Sequence, residues 1–228
     1  MINEKLNYQY ILFDFDGTIV NSNKAVIYAL DQAAISHRGT PFKPDELEAV
    51  LGKTLEEQMR FISEDQFQDL MPIYRAAYKN VRDTYTTIFD GCKEMLLELK
   101  RLGCQIGVVS NKGSNGIGHG LELFGLTELV DVSISFNDVV HAKPHQEGVY
   151  KALKIMGVLE SEINQTMRKV LFVGDSGHDL ETAQNAGCDS VLVAWTLLDK
   201  DKLMLKNPSY IINTPMDLID IVIESEIK

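Results

Sequence analysis

Five short, nearly continuous apolar runs constrain this chain more than any other feature: Tyr10–Phe13, Gln105–Val109, Val132–Ile134, 169–173 and 191–194. Each is too short for a core helix and lacks the alternation of a strand with one wet face. Each therefore reads as a parallel strand buried on both faces. Helical patterns lie between them. Residues 92–102 carry Met95, Leu96 and Leu99 at helical spacing, and residues 147–156 carry Val149, Leu153 and Met156. Residues 179–186 run up to Gly187, a helix stop. Strand–helix alternation predicts an α/β core, a doubly wound (Rossmann-like) parallel sheet.

Residues 21–87 follow a different rule, with no clear strand. Asn21 or Ser22 can cap a helix running to about His37, with Val26, Ile27, Leu30, Ala33 and Ala34 on one face. Thr54-Leu55-Glu56-Glu57 is a capping-box pattern that opens a second helix. Residues 66–84 form a long amphipathic stretch with Phe67, Leu70, Ile73, Tyr74, Ala77 and Val81. The expected organisation is an α/β core made of residues 1–20 and 88–228, interrupted by an all-helical insert at 21–87.

The formal net charge of −11 argues against nucleic acid or an anionic membrane as partner, since both need clustered Lys and Arg. The three cysteines, Cys92, Cys104 and Cys188, are odd in number and form no CxxC pair. They read as buried, reduced thiols of a cytoplasmic protein. The N-terminus has no signal-peptide core. No run approaches the roughly 20 apolar residues of a membrane span.

In a doubly wound sheet, ligands bind beyond the carboxyl ends of the strands. The first strand delivers Asp14 and Asp16, the second Ser110-Asn111-Lys112, and the fourth Asp175 and, four residues later, Asp179. The loop after the third holds Lys143. Carboxylates crowded this way repel unless a hard divalent cation such as Mg²⁺ joins them, usually through one or two carboxylates plus a substrate phosphate. Asp14 and Asp175 can supply oxygens, and Asp16 its backbone carbonyl. Aspartate is a known nucleophile in phosphoryl transfer. Ser110, Asn111 and Lys143 are suitable donors for phosphoryl oxygens. Gly17 leaves room for backbone N–H groups to approach a phosphate.

These motifs, "DFDGTIVNS" (14–22), "VVSNK" (108–112), Lys143 in "HAKP" and "VGDSGHD" (173–179), resemble in order those of the haloacid dehalogenase-like hydrolases. The chain is similar in particular to the phosphoglycolate phosphatase branch with a helical cap, over nearly its whole length. The resemblance implies Asp14 as nucleophile and metal ligand, and Asp16 as general acid/base. It implies Ser110 and Lys143 on the phosphoryl group with Asn111 alongside, and Asp175 on Mg²⁺. Asp179 would bind through water or orient Lys143. The insert would be a cap with hinges near 18–21 and 86–90. Substrate contacts would fall in the cap, with Lys53, Arg60 and Lys112 as candidates. His141, His145 and His178 would be rim or solvent residues.

The activity implied is a Mg²⁺-dependent phosphatase acting on a small phosphorylated metabolite, as monomer or homodimer. Phosphoglycolate is the first guess. Sugar phosphates, 5′-nucleotides and pyrophosphate stay open, because the cap loop "AVLGKTLEEQ" departs from the "GPP"-type turn of many phosphoglycolate phosphatases. Asp16 argues against a dehalogenase and against a phosphonoacetaldehyde hydrolase, although Lys53 lies where that enzyme has its cap lysine. Val26 stands where β-phosphoglucomutases place a cap histidine. A phospho-accepting receiver switch is shorter and lacks the helical insert. A degenerate binding module is disfavoured by the intact motifs. The stretch "GSNGIGHG" (113–120) spaces its glycines as GxGxG, not as the dinucleotide GxGxxG, and predicts a locally loose helix.

Overall fold

The structure, a computed structural model, describes residues 5–223. In chain order its strands are β1 (Tyr10–Phe13), β2 (Val20–Asn21), β3 (Thr87–Ile88), β4 (Gln105–Val109), β5 (Val132–Ile134), β6 (Val170–Gly174), β7 (Asp189–Val193) and β8 (Tyr210–Ile212). The helices are α1 (Asn23–Arg38), α2 (Pro44–Val50), α3 (Leu55–Ile62), α4 (Phe67–Tyr85), α5 (Cys92–Arg101), α6 (Ser114–Leu123), α7 (Glu147–Ile155), α8 (Ile163–Thr166), α9 (Gly177–Ala186), α10 (Lys200–Met204) and α11 (Asp217–Val222).

Six strands form one parallel sheet in the order β5-β4-β1-β6-β7-β8. The continuous apolar runs are explained by burial on both sides. Along β1, Ile11 and Phe13 enter the core shared with α5, α6 and α11, while Leu12 enters the core shared with α7 and α9. Along β6, Leu171 and Val173 point one way and Val170 and Phe172 the other. Each fully buried aliphatic or aromatic side chain contributes roughly 1.5–3 kcal/mol, so the central strands anchor the fold. β8, after a polar loop, escapes the sequence reading because two of its three residues stay exposed.

Helices α1–α4 pack around an apolar cluster of their own, in which Leu30, Ala33, Ala34, Val50, Met59 and Leu70 are buried. Thr54 and Glu57 close the expected capping box at α3. The segment contributes more than helix, however. Asn21 and Val20 pair antiparallel with Thr87 and Ile88, so a two-stranded ribbon joins this helical layer to the sheet at both crossings. Such short strands leave no periodicity to read. Ser22 sits at the N-cap of α1 but gives α1 no capping bond. Its hydroxyl donates to Asp16 Oδ1 instead.

Candidate active site

The sheet order explains the convergence. β1 lies between β4 and β6, so the segments after these three adjacent strands share one edge. Asp14 follows β1, Ser110 follows β4, and Asp175 follows β6. Lys143 arrives from the loop between β5 and α7. All four lie beside a cavity of about 550 Å³ whose other wall is built by α3, α4 and the turn before α3; Asp14, Ser110 and Asp175 line it directly.

The Lys143 ammonium is buried between two carboxylates, 2.8 Å from Asp14 Oδ1 and 2.6 Å from Asp179 Oδ1. Burial alone would lower its pKa. The attraction of Asp14 and Asp179 outweighs burial and holds it above the ordinary lysine range. Asp179 is fixed from its other oxygen, which accepts from Ser176 N at 2.9 Å and Ser176 Oγ at 2.6 Å, closing the capping box of α9. Burial raises the Asp14 carboxyl to about 6, against the opposing pull of Lys143. Burial, then Asp179 and Asp14, raise Asp175 well above the usual carboxylate range.

Carboxylate oxygens of Asp14, Asp175 and Asp179 all lie within 4.8 Å of one another. The chemistry of this donor set fits a hard cation: three acids share one ammonium, and Asp175 makes no hydrogen bond or ion pair among the described residues. Two glycines make the crowding possible. A Cβ on Gly17, which has φ +81°, would stand 2.2 Å from Asp175 Oδ2, and one on Gly174 would stand 2.2 Å from Asp179 Cβ. The Gly17 N–H itself donates to Val20 O at 2.8 Å.

The Asp16 carboxylate is not part of this three-acid cluster. Lys112 Nζ donates to both oxygens, at 2.9 and 2.8 Å, and to Tyr78 Oη of α4 at 2.9 Å. With Ser22 on Oδ1, the side chain is held from two sides. Any metal contact from residue 16 is thereby left to its backbone carbonyl, the atom expected from the sequence. Lys112, expected as a substrate contact, is committed to this carboxylate.

The Asn111 side chain is engaged within the protein. Both of its amide hydrogens are used, on Gly52 O at 3.0 Å and Lys143 O at 3.1 Å, and its Oδ1 accepts from Lys143 N at 2.9 Å. Its side chain braces the Lys143 loop and the turn before α3, with no amide hydrogen left for a phosphoryl oxygen. Arg60 does not line the cavity. It pairs with Glu56 in α3 and with Glu64 just beyond that helix, and lies over the Phe67 ring. Lys53 does line it, as does Val26. His178 is half-buried and its pKa is lowered by burial, whereas His141 and His145 are exposed. The three thiols are free, and burial pushes Cys92 and Cys188 to about 12 and Cys104 to about 11.

Sequence reasoning misses the α4 wall of Tyr74, Arg75, Tyr78, Lys79 and Arg82. Its signal was present in the spacing, since 75, 79 and 82 share one helix face. The glycines of α6 also acquire a reason. Gly116 faces the Lys112 stem, and a Cβ on Gly120 would stand 2.7 Å from the Phe15 ring. Close packing explains both without a loose helix.

A family model for haloacid dehalogenase-like hydrolases matches residues 11–193. The chain belongs to this family. It is 30% identical over 212 residues to pyrophosphatase PpaX of Bacillus cereus (strain AH820), covering 93% of this chain and 95% of that one. It superposes on a haloacid dehalogenase-like hydrolase from Bacteroides fragilis with a TM-score of 0.83 and 26% identity, over 92% of this chain and 99% of that one. A predicted phosphoglycolate phosphatase from Haemophilus somnus 129PT shares the fold at TM-score 0.83 and 22% identity, over 94% and 98% of the two chains. Among the described residues, no helix is long and apolar enough to cross a membrane.

Proposed function

We propose that the chain is a Mg²⁺-dependent phosphatase that hydrolyses a small soluble phosphomonoester through an aspartyl-phosphate on Asp14. Residues 21–87 are read as its cap, and the α/β remainder as its catalytic core. One observation carries the reading: Asp14 stands at the carboxyl end of β1, against a buried lysine 2.8 Å away, in a cluster with Asp175 and Asp179 that faces a large cavity.

Asp14, Asp175 and the Asp16 carbonyl would hold the cation, with Asp179 behind Lys143. When bound, Mg²⁺ offsets the repulsion between a carboxylate and a phosphate and polarises the phosphoryl oxygens. An Asp14 oxygen attacks phosphorus as the ester P–O bond breaks, and Asp16 gives its proton to the departing oxygen. Asp16 then takes a proton from water as that water attacks the acyl phosphate. The bond from phosphorus to Asp14 breaks, and inorganic phosphate leaves. Ser110 and Lys143 stabilise the equatorial oxygens in both steps.

Phosphoglycolate-like esters are the first substrate candidates, by resemblance of the core motifs. Pyrophosphate is the second, favoured by the relative that bears a pyrophosphatase name at 30% identity. The test is hydrolysis of a phosphometabolite panel, with p-nitrophenyl phosphate as the generic ester, with Mg²⁺ and with EDTA. Activity should require the metal, and Asp14→Asn should lower kcat at least about 10³-fold. Full turnover by Asp14→Asn would end the nucleophile assignment. Turnover undiminished in EDTA would end the metal assignment.

A further inference from the structure

The cavity separates charge along its depth. Among the described residues, its acidic lining is Asp14, Asp16 and Asp175, all on the sheet side. Asp16 is already matched by Lys112. On the helical side stand Lys53, from the turn before α3, and Arg75, Lys79 and Arg82 of α4. Arg82 approaches Asp83 at 3.4 Å. Lys53, Arg75 and Lys79 make no ion pair among the described residues, in a chain where acids outnumber Lys and Arg by 33 to 22.

Positions 75, 79 and 82 fall at i, i+4 and i+7, so these like charges face one another along the helix and repel. Arg75 and Lys79, both exposed and without an ion pair among the described residues, present positive charge to any anion that enters this cavity. The transferring phosphoryl group does not account for it. That group is served at the floor by Lys143, Ser110 and the cation site.

We infer that the substrate carries a second anionic group on its leaving portion, held by Arg75 and Lys79 with Lys53. This rests on the phosphatase reading and narrows it: esters whose alcohol is uncharged are poor substrates. The shared chemistry is an oxyanion, supplied by either a phosphate or a carboxylate. Arg75 can grip either one bidentately. Two adjacent side chains add to the site. Tyr74 and Tyr78 line the same wall with stacked rings, 6.0 Å apart at an interplanar angle of 5°. They offer an apolar flank to the carbon skeleton between the two anions.

The experiment compares ligands that differ by one anion. Dissociation constants are measured by calorimetry in Mg²⁺ on Asp14→Asn protein, in which turnover is expected to be slowed at least about 10³-fold. Fructose 1,6-bisphosphate is set against fructose 6-phosphate for a second phosphate, and 2-phosphoglycolate against ethyl phosphate for a carboxylate. At least one doubly anionic ligand should bind about tenfold or more tightly than its partner. The added Arg75→Gln/Lys79→Gln pair should bring that ratio close to one. An Arg75→Lys/Lys79→Arg exchange, which keeps both charges, should restore most of it and shows that the glutamine variant is not merely misfolded. Ratios near one for both ligand pairs overturn the inference, as does a preference that survives Arg75→Gln/Lys79→Gln. The phosphatase reading fails separately. If wild-type protein with Mg²⁺ hydrolyses none of these esters, that reading falls while the binding ratios still decide this one.

Discussion

Replacing Lys143 by Met removes the one ammonium among Asp14, Asp175 and Asp179 while keeping a side chain of similar length. The Lys143 side chain is 4% exposed, and those of its partners Asp14 and Asp179 are 7% and 1% exposed. Solvent cannot replace the lost charge. Removing one partner of a buried ion pair costs roughly 3–5 kcal/mol, because the remaining charges stay uncompensated. The cost should depend on pH, and its sign follows from Asp14. This carboxyl is already raised to about 6 with Lys143 lowering it, so without Lys143 it rises further. A carboxyl whose folded pKa exceeds its unfolded value binds more protons when folded. Its stabilising contribution is therefore present at low pH and is lost as pH rises through the folded pKa. Urea unfolding in EDTA at pH 8 should show the variant less stable by about 3–5 kcal/mol. At pH 5, where the folded acids can take up protons, the deficit should shrink by at least about 1.4 kcal/mol, the equivalent of one pKa unit. A deficit below about 1 kcal/mol at pH 8 would refute the buried-pair reasoning. A deficit equal at the two pH values would refute its electrostatic origin.

Two further substitutions probe separate contacts. Lys112→Met frees the Asp16 carboxylate from its anchor to Tyr78, and kcat for alkyl phosphates should fall roughly 10²-fold or more, the scale of general acid catalysis. p-Nitrophenyl phosphate, whose leaving group needs little protonation, should lose much less; equal losses would show that Lys112 acts elsewhere. Gly120→Ala places a methyl group 2.7 Å from the Phe15 ring, so overpacking of about 1–3 kcal/mol should exceed the roughly 1 kcal/mol gained in helix propensity. A raised melting temperature would instead support glycines that merely loosen α6.

The central strands and the helices around them were legible because double burial imposes continuous apolar runs, and those runs survive in any surface context. β2, β3 and β8 were not. Two- or three-residue strands with exposed positions carry no period, and their pairing is set by partners distant in sequence, Val20 with Ile88 and Leu192 with Ile211. The acids and Lys143 were legible for a related reason. The chain positions that follow parallel strands must share an edge, so Asp14, Ser110 and Asp175 could be gathered without coordinates.

What each side chain does there was less accessible. The Asn111 side-chain amide has the right chemistry for a phosphate, yet both of its hydrogens are spent on Lys143 O and Gly52 O. Donor identity is a property of the residue; donor availability is a property of the packing. The same distinction separates Arg60 from Arg75. In sequence both are arginines on exposed faces of helices in one insert, and a solvated charge is the default for each. Arg60 has Glu56 and Glu64 one turn away on either side, so local spacing already supplies its counter-ions. Arg75 has Met71 and Lys79 at those positions, neither of them an acid. The absence of an acid at i±4 leaves the exposed Arg75 charge on the cavity wall without an ion pair among the described residues, whereas Arg60 is occupied by Glu56 and Glu64.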